Sequence, residues 1–289
     1  MRRRAASLGA LAALTALAVA GANATAQDVA PAVGNYGGGA VVAPPRSVYS
    51  AGNMLIGLRA SAGKLQMNVT MTLSCSVDAA FTARATPAAD GSFSARGTAR
   101  DGAARTRWSI SGTIAGAAAS GTATARTALG TGERTRRCPA STVHWAARRA
   151  TGDSGAPPPP PKERYFGTTS QRLNGPRRAI ALRISSDGSK LARALYDVTV
   201  RCGGETMSDT YDAPKRNLTI AADGKVRDVE RFTFRNRGTI YRSVERFTAT
   251  IGAAGATGTF STTARITARS SGRTILRCSS GTVRWSAAP

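Results

Sequence analysis

The sequence predicts an all-β protein made of two tandem antiparallel β-sandwich or flattened-barrel domains, each with one intradomain disulfide. Three observations lead to this prediction. Apolar and polar residues alternate along many short segments, the second half of the chain repeats the pattern of the first, and each half contains two of the four cysteines.

The alternation has the period of two that is typical of β-strands, because successive side chains of a strand point to opposite faces. The two best examples are Val69, Met71, Leu73 and Cys75, and Tyr196, Val198, Val200 and Cys202. Short strands at roughly ten-residue spacing favour a sandwich or a flattened barrel. We prefer the sandwich, since each cysteine lies on the inward face of its strand and can bridge to a second sheet.

The internal repeat is the strongest signal in the chain. The segments align as Cys138–Trp145 with Cys278–Trp285, Ile114–Thr122 with Ile251–Thr259, Asp90-Gly91 with Asp223-Gly224, and Tyr36-Gly37 with Phe166-Gly167. Trp145 and Trp285 occupy the same place next to an inward valine. Large aromatic rings fill a core of small residues well, so we predict that both tryptophans are buried.

Both copies share a motif of Tyr/Phe-Gly, a central Cys, Gly-Thr and Cys-x-x-Gly/Ser-Thr-Val-x-Trp. This motif resembles the uncharacterised secreted all-β repeat domains of high-GC bacteria. The resemblance covers both copies and implies export and a β fold. It implies no activity and no site residues.

The N-terminus has the features of a signal peptide, predicted to span residues 1–26. Arg2, Arg3 and Arg4 precede an apolar run, and small-x-small cleavage patterns end at Ala24 and Ala26. The run is shorter than the about 20 apolar residues of a membrane-spanning helix. We therefore predict a secreted, periplasmic or extracellular protein without a transmembrane anchor.

The predicted copies span residues 34–150 and 164–289, and residues 151–163 form a proline-rich linker. Its five consecutive prolines, Pro157 to Pro161, predict an extended, stiff spacer of about 15 Å between the copies. Each copy is of ordinary domain size and is predicted to have a core of its own.

The cysteines are predicted to form disulfides rather than a metal site. An exported chain is oxidised, and none of the four has the short Cys-x-x-Cys spacing of zinc ligands. Four cysteines permit three pairings. Because equivalent cysteines of a duplicated domain should pair within each copy, we predict Cys75–Cys138 and Cys202–Cys278.

The chain is strongly basic. Removal of the three signal-peptide arginines leaves 37 of the 40 basic residues. Against 16 acidic residues, this gives a net charge of +21. Such a charge attracts anionic polymers. Arginine outnumbers lysine 35 to 5, however, and alanine is abundant, so the bias of a GC-rich coding sequence offers a second explanation.

The sequence offers little for catalysis, and we predict a protein that is not an enzyme and has no cofactor or metal. The single histidine, His144, alternates with Val143 and Trp145 and should therefore be exposed. A calcium site is a weak alternative for the acidic segment of the second copy, which contains Glu205, Asp209, Tyr211 and Asp212. A solvated loop is the better interpretation.

Arginines recur on the predicted strands of the second copy: Arg201, Arg231, Arg235, Arg242, Arg246, Arg265, Arg269 and Arg277. They form either an ordinary solvated face or a surface that binds phosphate or carboxylate groups bidentately. The copies differ where His144 aligns with Arg284 and Trp108 with Glu245, which argues for the ordinary face.

We therefore expect an exported structural or interaction module, with a cationic binder of anionic cell-envelope polymer as the alternative. Its specific partner is unknown. Nucleic acid is an unfavoured partner, given export and the lack of a nucleic-acid-binding motif. A contiguous cluster of arginines on a structure favours the alternative, whereas an even spread favours the structural role.

Overall fold

The computed structural model describes residues 33–42, 51–130, 136–150, 152–213 and 217–289. The predicted signal peptide lies outside these residues. The first half of the chain has nine strands: β1 Gly34–Ala40, β2 Met54–Ser61, β3 Lys64–Thr72, β4 Asp78–Ala85, β5 Ser92–Asp101, β6 Ala104–Ala115, β7 Ala118–Leu129, β8 Arg136–Arg137 and β9 Ser141–Arg148.

The second half has ten strands: β10 Arg164–Arg172, β11 Arg177–Ile184, β12 Lys190–Cys202, β13 Glu205–Ala213, β14 Leu218–Thr219, β15 Lys225–Arg235, β16 Thr239–Ile251, β17 Ala256–Ala268, β18 Thr274–Ser279 and β19 Val283–Ala288. The described residues contain strands and turns and no helix. The predicted all-β class is therefore confirmed.

Each half folds as one continuous antiparallel sheet that curls into a closed or nearly closed barrel. The first sheet runs in the order β4-β3-β2-β1-β9-β7-β6-β5, with β8 beside β7. The second runs β13-β12-β11-β10-β19-β17-β16-β15, and β18 pairs with both β12 and β17. The two sheets thus follow one strand order, and the barrel form of the prediction describes them better than two stacked sheets.

The disulfides are those predicted, one in each half. Cys75 is bonded to Cys138, 63 residues away, and Cys202 to Cys278, 76 residues away. In the second half the bonded cysteines stand directly opposite each other on β12 and β18. The bridge therefore lies where the second sheet closes on itself.

The barrel cores confirm that both aligned tryptophans are buried. Trp145 and Trp285 are 3% and 4% exposed, and the Trp285 ring lies 5.5 Å from that of Phe247. A Cβ atom at Gly258 would lie 2.5 Å from Cζ2 of Trp285. The glycine of the repeated Gly-Thr motif is therefore needed because the indole packs against the bare backbone of the neighbouring strand.

One predicted alignment is off by one residue. Arg148 and Ala288 are equivalent, since each lies three residues after the aligned tryptophan of its copy. Arg148 pairs with Gly37 and Ala288 pairs with Phe166, so Gly37 is equivalent to Phe166. Tyr36 is thus equivalent to Tyr165. Their hydroxyl groups donate to the carbonyl oxygens of Gly116 and Gly252, in both cases at 2.7 Å. Burial is the main cause of the raised pKa of both phenols.

The proline segment does not act as a spacer between separated domains. Lys162 donates its backbone N–H to the carbonyl of Ser185, and Ala253 donates to that of Ala156, both at 2.9 Å. Pro159 is buried. The segment lies on the second barrel, and the two barrels contact each other directly through β1, β2 and β9 on one side and β10, β11 and β12 on the other.

A small apolar cluster fills the contact between the barrels: Val41 and Leu55 from the first half, and Phe166, Ala179, Ala181 and Leu195 from the second. The backbones of β1 and β10 cross closely, since a Cβ at Gly37 would lie 1.9 Å from the carbonyl oxygen of Gly167. The two halves are therefore packed as one body.

Two polar contacts also cross this interface. Asn68 on β3 donates its amide to the carbonyl of Leu173, just after β10. Arg193 on β12 donates to the carbonyl of Val42, just after β1, at 2.8 Å and is only 2% exposed. β1 packs against both β10 and β11 of the second half, whereas β10 packs mainly against β1 and β9 of the first, so the contact is not two-fold symmetric.

Candidate anion-binding faces

The outer faces of β5–β8 and β15–β18 are rich in arginine. On β6, Ile110 and Ile114 point into the core. Arg105 and Arg107, at the alternate positions, therefore point outward. On β16, Phe247 and Ala249 are buried, whereas Arg242 and Arg246 are exposed. The period of two therefore places the arginines of these strands on the solvent face.

Arginines of different strands line up across the first sheet. Arg100 on β5 stands opposite Arg105 on β6, Arg105 opposite Ala128 on β7, and Ala128 opposite Arg137 on β8. We call Arg100, Arg105 and Arg137 the first arginine row. All three side chains are exposed.

The second sheet has an arginine row at the same place. Arg242 on β16 stands opposite Arg265 on β17, which in turn stands opposite Arg277 on β18. We call these three residues the second arginine row. Arg137 and Arg277 directly precede the disulfide-bonded Cys138 and Cys278, and Arg105 and Arg242 occupy equivalent positions on β6 and β16.

These rows are unfavourable for the isolated protein. Neighbouring strands are about 4.8 Å apart, so the second row places three guanidinium groups on a line about 10 Å long. Like charges directly opposite each other destabilise a sheet. Among the described residues, none of the six row arginines forms an ion pair with a carboxylate. A bound anion relieves this repulsion.

A hydrogen bond orients the middle member of the second row. Arg265 donates from Nε to the hydroxyl of Thr274 at 2.8 Å. This bond fixes the plane of the guanidinium group, which reduces the conformational entropy lost when an anion binds. A fixed guanidinium can bind two oxygens of a phosphate or carboxylate at once.

A cavity of about 490 Å³ lies at the first row. It is lined by Arg105, Arg107, Arg126 and Arg137 and by the segment that begins at Cys138. Arg107 and Arg126 are themselves directly opposite each other. Four arginines therefore line one concave site. Another cavity, of about 520 Å³, is lined by only two cations, Lys64 and Arg84.

Carboxylates are segregated from the arginines on β15 and β16. Asp228 and Glu230 alternate with Arg227 and Arg231, and Glu245 alternates with the exposed arginines of β16, so these carboxylates point to the barrel side. No described residue at an outward position of β15–β18 is acidic. The outer face is thus uniformly cationic rather than a mixture of both signs.

The arginines predicted from the sequence divide into three groups. Arg231, Arg235, Arg242, Arg246, Arg265 and Arg277 share the outer face of β15–β18. Arg201 stands opposite Ser279 and borders this face, whereas Arg269 follows the end of β17. The sequence missed the matching face of the first half, because its arginines are interspersed with small residues.

The sequence argument that the copies place their basic residues differently holds in part for these rows, because Arg100 corresponds to Thr233 and Arg265 to Ala128, whereas Arg105 and Arg137 match Arg242 and Arg277. Trp108 lies on the inward side of β6 and stacks on Phe81 at 4.7 Å, and Glu245 takes the equivalent inward place on β16. This pair therefore says nothing about the outer surface. The exposed pair does differ: His144 lies 3.2 Å from the hydroxyl of Thr122, whereas Arg284 replaces it in the second half.

The acidic segment forms strand β13 rather than the loop expected from the sequence. Glu205 begins β13, but the side chains of Asp209, Tyr211 and Asp212 lie outside those that the structure describes. In the described part of the chain, no three His, Cys, Asp or Glu residues are grouped as metal ligands.

A buried ion pair that sequence reasoning did not find lies on β11 and β12. Arg178 and Asp197 are 4% exposed, and Nη1 of Arg178 lies 3.9 Å from Oδ2 of Asp197. The hydroxyl of Thr210 donates to Asp197 at 2.7 Å. Burial lowers the pKa of Arg178, and Asp197 partly opposes this shift. The pair lies in the second barrel beside the interface and is not part of the arginine rows.

Comparison with protein-family models, curated proteins and solved structures finds no match to this chain. Within the described ranges, no helix is long and apolar enough to cross a membrane. The disulfides indicate an oxidising, non-cytoplasmic environment. The candidate function therefore depends on the geometry of the arginine rows.

Proposed function

We propose that the protein is an exported, non-enzymatic interaction module that binds an anionic cell-envelope polymer through its two arginine rows. The observation that carries this proposal is the second row, in which Arg242, Arg265 and Arg277 occupy one line across three neighbouring strands. Such a line has an energetic cost in the free protein and matches successive anionic groups of a polymer.

Export is supported by the basic and apolar N-terminus and by the two disulfides. A duplicated domain is supported by the common strand order of the two sheets and by the equivalent tyrosines and tryptophans. Arg105 and Arg137 of the first row occupy the same positions as Arg242 and Arg277 of the second row. This match supports a surface that was kept when the domain was duplicated.

Composition alone is the competing explanation, and it predicts a different distribution of charge. A GC-rich coding bias introduces arginine, and folding then places it on outer strand faces, but neither effect turns carboxylates away from those faces. The outer face of β15–β18 instead combines arginine with threonine and serine, whereas Asp228, Glu230 and Glu245 point to the opposite side. We therefore favour the cationic binder over a purely structural module.

The proposal predicts that the conservative triple variant R242K/R265K/R277K binds polyphosphate at least about tenfold more weakly, although its net charge is unchanged. Lysine retains the positive charge but loses the planar, bidentate geometry of arginine. Binding is measured by isothermal titration of the signal-free chain with long-chain polyphosphate, and with polygalacturonate as the carboxylate polymer. The matched control is R59K/R164K/R284K, which changes three exposed arginines outside the rows.

Salt dependence provides a second readout of the same experiment. Each arginine that neutralises an anionic group releases counterions, so log K falls linearly with log[salt] by roughly 0.7–0.9 per contact. The variant R242Q/R265Q/R277Q should therefore reduce the slope by about 2. Equal losses in the row variant and in an R59Q/R164Q/R284Q control would contradict a row-specific site and support a merely compositional charge.

A further inference from the structure

The two arginine rows differ on their middle strand. In the first half, Ala128 on β7 stands between Arg105 on β6 and Arg137 on β8. The equivalent residue of β17 is Arg265. A methyl group therefore takes the place of a long cationic side chain, which leaves a depression in the first row where the second row has a guanidinium group.

The cavity of about 490 Å³ at the first row lies at this depression, and Ala128 is among the residues that line it. Its volume falls within the range of about 300–1,000 Å³ that is typical of small-molecule sites. Arg105 and Arg137 flank Ala128 at the strand spacing of about 4.8 Å on either side. Arg107 and Arg126, one two-residue step along β6 and β7, line the same cavity. None of its described lining residues is acidic.

The backbone beneath the cavity is held in place by three contacts. The N–H of Cys138 donates to the carbonyl of Thr127 at 2.8 Å, and Cys138 is bonded to Cys75. The hydroxyl groups of Thr127 and Thr106 are hydrogen-bonded to each other at 2.7 Å on the inward side of the sheet. A fixed floor reduces the conformational entropy that is lost when a ligand binds.

The second barrel also lacks the two arginines beside the row. Val244 and Thr263 take the places of Arg107 and Arg126, and they too stand directly opposite each other. Four arginines thus line one depression in the first half, whereas three arginines form a line in the second half. The first arrangement suits a compact anion, and the second suits an extended chain.

A terminal phosphate group matches the first arrangement. Its three terminal oxygens can accept hydrogen bonds from several guanidinium groups at once, whereas a carboxylate has two oxygens in one plane. A terminal phosphate also carries about 1.5 to 2 negative charges at neutral pH, and an internal phosphate of a polymer carries a single charge. The concentration of positive charge around Ala128 therefore favours the end of a phosphate chain over its interior.

We propose that the cavity of the first row binds a terminal phosphate group, carried by a free oligophosphate or by the end of a phosphate polymer. This inference rests on the proposed function, since it defines what one of the two rows binds. The second row then contacts the interior of an extended chain, so the two copies recognise different parts of one class of anion.

Isothermal titration of the signal-free protein with tripolyphosphate tests this proposal. We expect one bound tripolyphosphate per molecule and weaker binding of citrate, whose charges are on carboxylates. The variant R107V/R126T gives the cavity the residues of the second barrel and should weaken tripolyphosphate binding at least about tenfold, because charge-assisted hydrogen bonds are lost. The control R59V/R164T makes the same two changes at exposed arginines outside the rows and should bind like the unmodified protein.

Ala128→Arg separates the effect of the cavity from that of net charge. The substitution fills the depression with the side chain that the second barrel has there, and it adds a positive charge. It should weaken tripolyphosphate binding at least about tenfold if the cavity is the site, whereas attraction by net charge alone would strengthen it. The control Ala115→Arg adds the same charge on the same face of β6, at its other end, and should not weaken binding. Circular dichroism and thermal unfolding of each variant verify that the fold is retained.

Competition with long-chain polyphosphate identifies the source of the phosphate group. It is measured in the variant R242Q/R265Q/R277Q, so that the second row does not contribute. Displacement of tripolyphosphate only by polymer with free ends, and not by polymer whose terminal phosphates are blocked as phosphoramidates, assigns the cavity to chain ends. Displacement by neither polymer assigns it to a free oligophosphate. Equal displacement by both would overturn the proposal, because internal phosphates would then occupy the cavity.

The outcomes also separate this inference from the proposed function. Tripolyphosphate binding that is unchanged in both R107V/R126T and Ala128→Arg would overturn the cavity as its site, while polymer binding through the second row would stand. Loss of polymer binding that is equal in the row variant and in the R59Q/R164Q/R284Q control would overturn the proposed function itself.

Discussion

Replacing Trp285 by alanine is expected to lower the free energy of unfolding by about 3–5 kcal/mol. The indole is 4% exposed, lies beside Phe247 and packs on the bare backbone at Gly258. Alanine would leave a cavity that this neighbouring backbone cannot fill. Urea unfolding followed by far-ultraviolet circular dichroism measures the change without relying on tryptophan fluorescence.

Two further variants show whether the lost volume is responsible. Among the described residues, the Nε1–H group of Trp285 has no hydrogen-bond partner. Trp285→Phe removes this buried donor while keeping an aromatic ring, so its cost should be smaller than that of Trp285→Ala. Thr263→Ala, on the exposed face of β17, should change stability by less than about 0.5 kcal/mol. A loss under about 1 kcal/mol for Trp285→Ala would contradict a core role of the ring.

Removing either disulfide is expected to cost about 4 kcal/mol. The two disulfides close loops of 63 and 76 residues. The entropy that a disulfide removes from the unfolded state grows only with the logarithm of the loop length, so the two costs are nearly equal. The double variants C75A/C138A and C202A/C278A should therefore lose similar amounts, within a few tenths of a kcal/mol in the entropy model. Denaturant titration under non-reducing conditions measures both.

Peptide mapping without reduction is the matching covalent test. It should recover only peptides linking Cys75 to Cys138 and Cys202 to Cys278. A Cys75–Cys202 peptide would contradict the two-barrel arrangement. In the denaturant titration, a loss of unfolding free energy below about 1 kcal/mol for one double variant would mean that its half is held by packing alone.

Much of the fold was predictable because its signals are local. The alternation at Val69 and Met71 reports strand β3, and the repeated Cys-x-x-x-Thr-Val-x-Trp pattern reports the last strands and their buried tryptophans. Leu73 and Cys75 lie just past the end of β3 as the structure has it, although Leu73 is still buried. Strand period and disulfide pairing thus follow from residue spacing along the chain.

The packing of the two barrels was not predictable in this way. Arg193 and Asp197 lie on β12, where polar residues at alternate positions indicate a solvated face, yet both are buried. The first barrel and the ion pair with Arg178 supply their partners. A single sequence gives no signal that a second domain covers a polar face, and the five prolines suggested separation instead.

The arginine rows could be predicted from the sequence only in part. The arginines of the second half were identified from the sequence, but their alignment in one row depends on the registers of two strand pairs, β16 with β17 and β17 with β18. Comparison of isolated aligned positions, such as Trp108 with Glu245, emphasised inward residues that do not contact a ligand. Only the strand pairing reveals that Arg105 and Arg137 correspond to Arg242 and Arg277.

The most direct test of the account is to follow the arginine side chains by NMR while polyphosphate is added to the signal-free protein. The Nε–H resonances of the six row residues, Arg100, Arg105, Arg137, Arg242, Arg265 and Arg277, should shift first and saturate together. Those of Arg59, Arg164 and Arg284 should change little at the same polymer concentration. Shifts spread evenly over all exposed arginines would contradict the claim that the rows are binding sites.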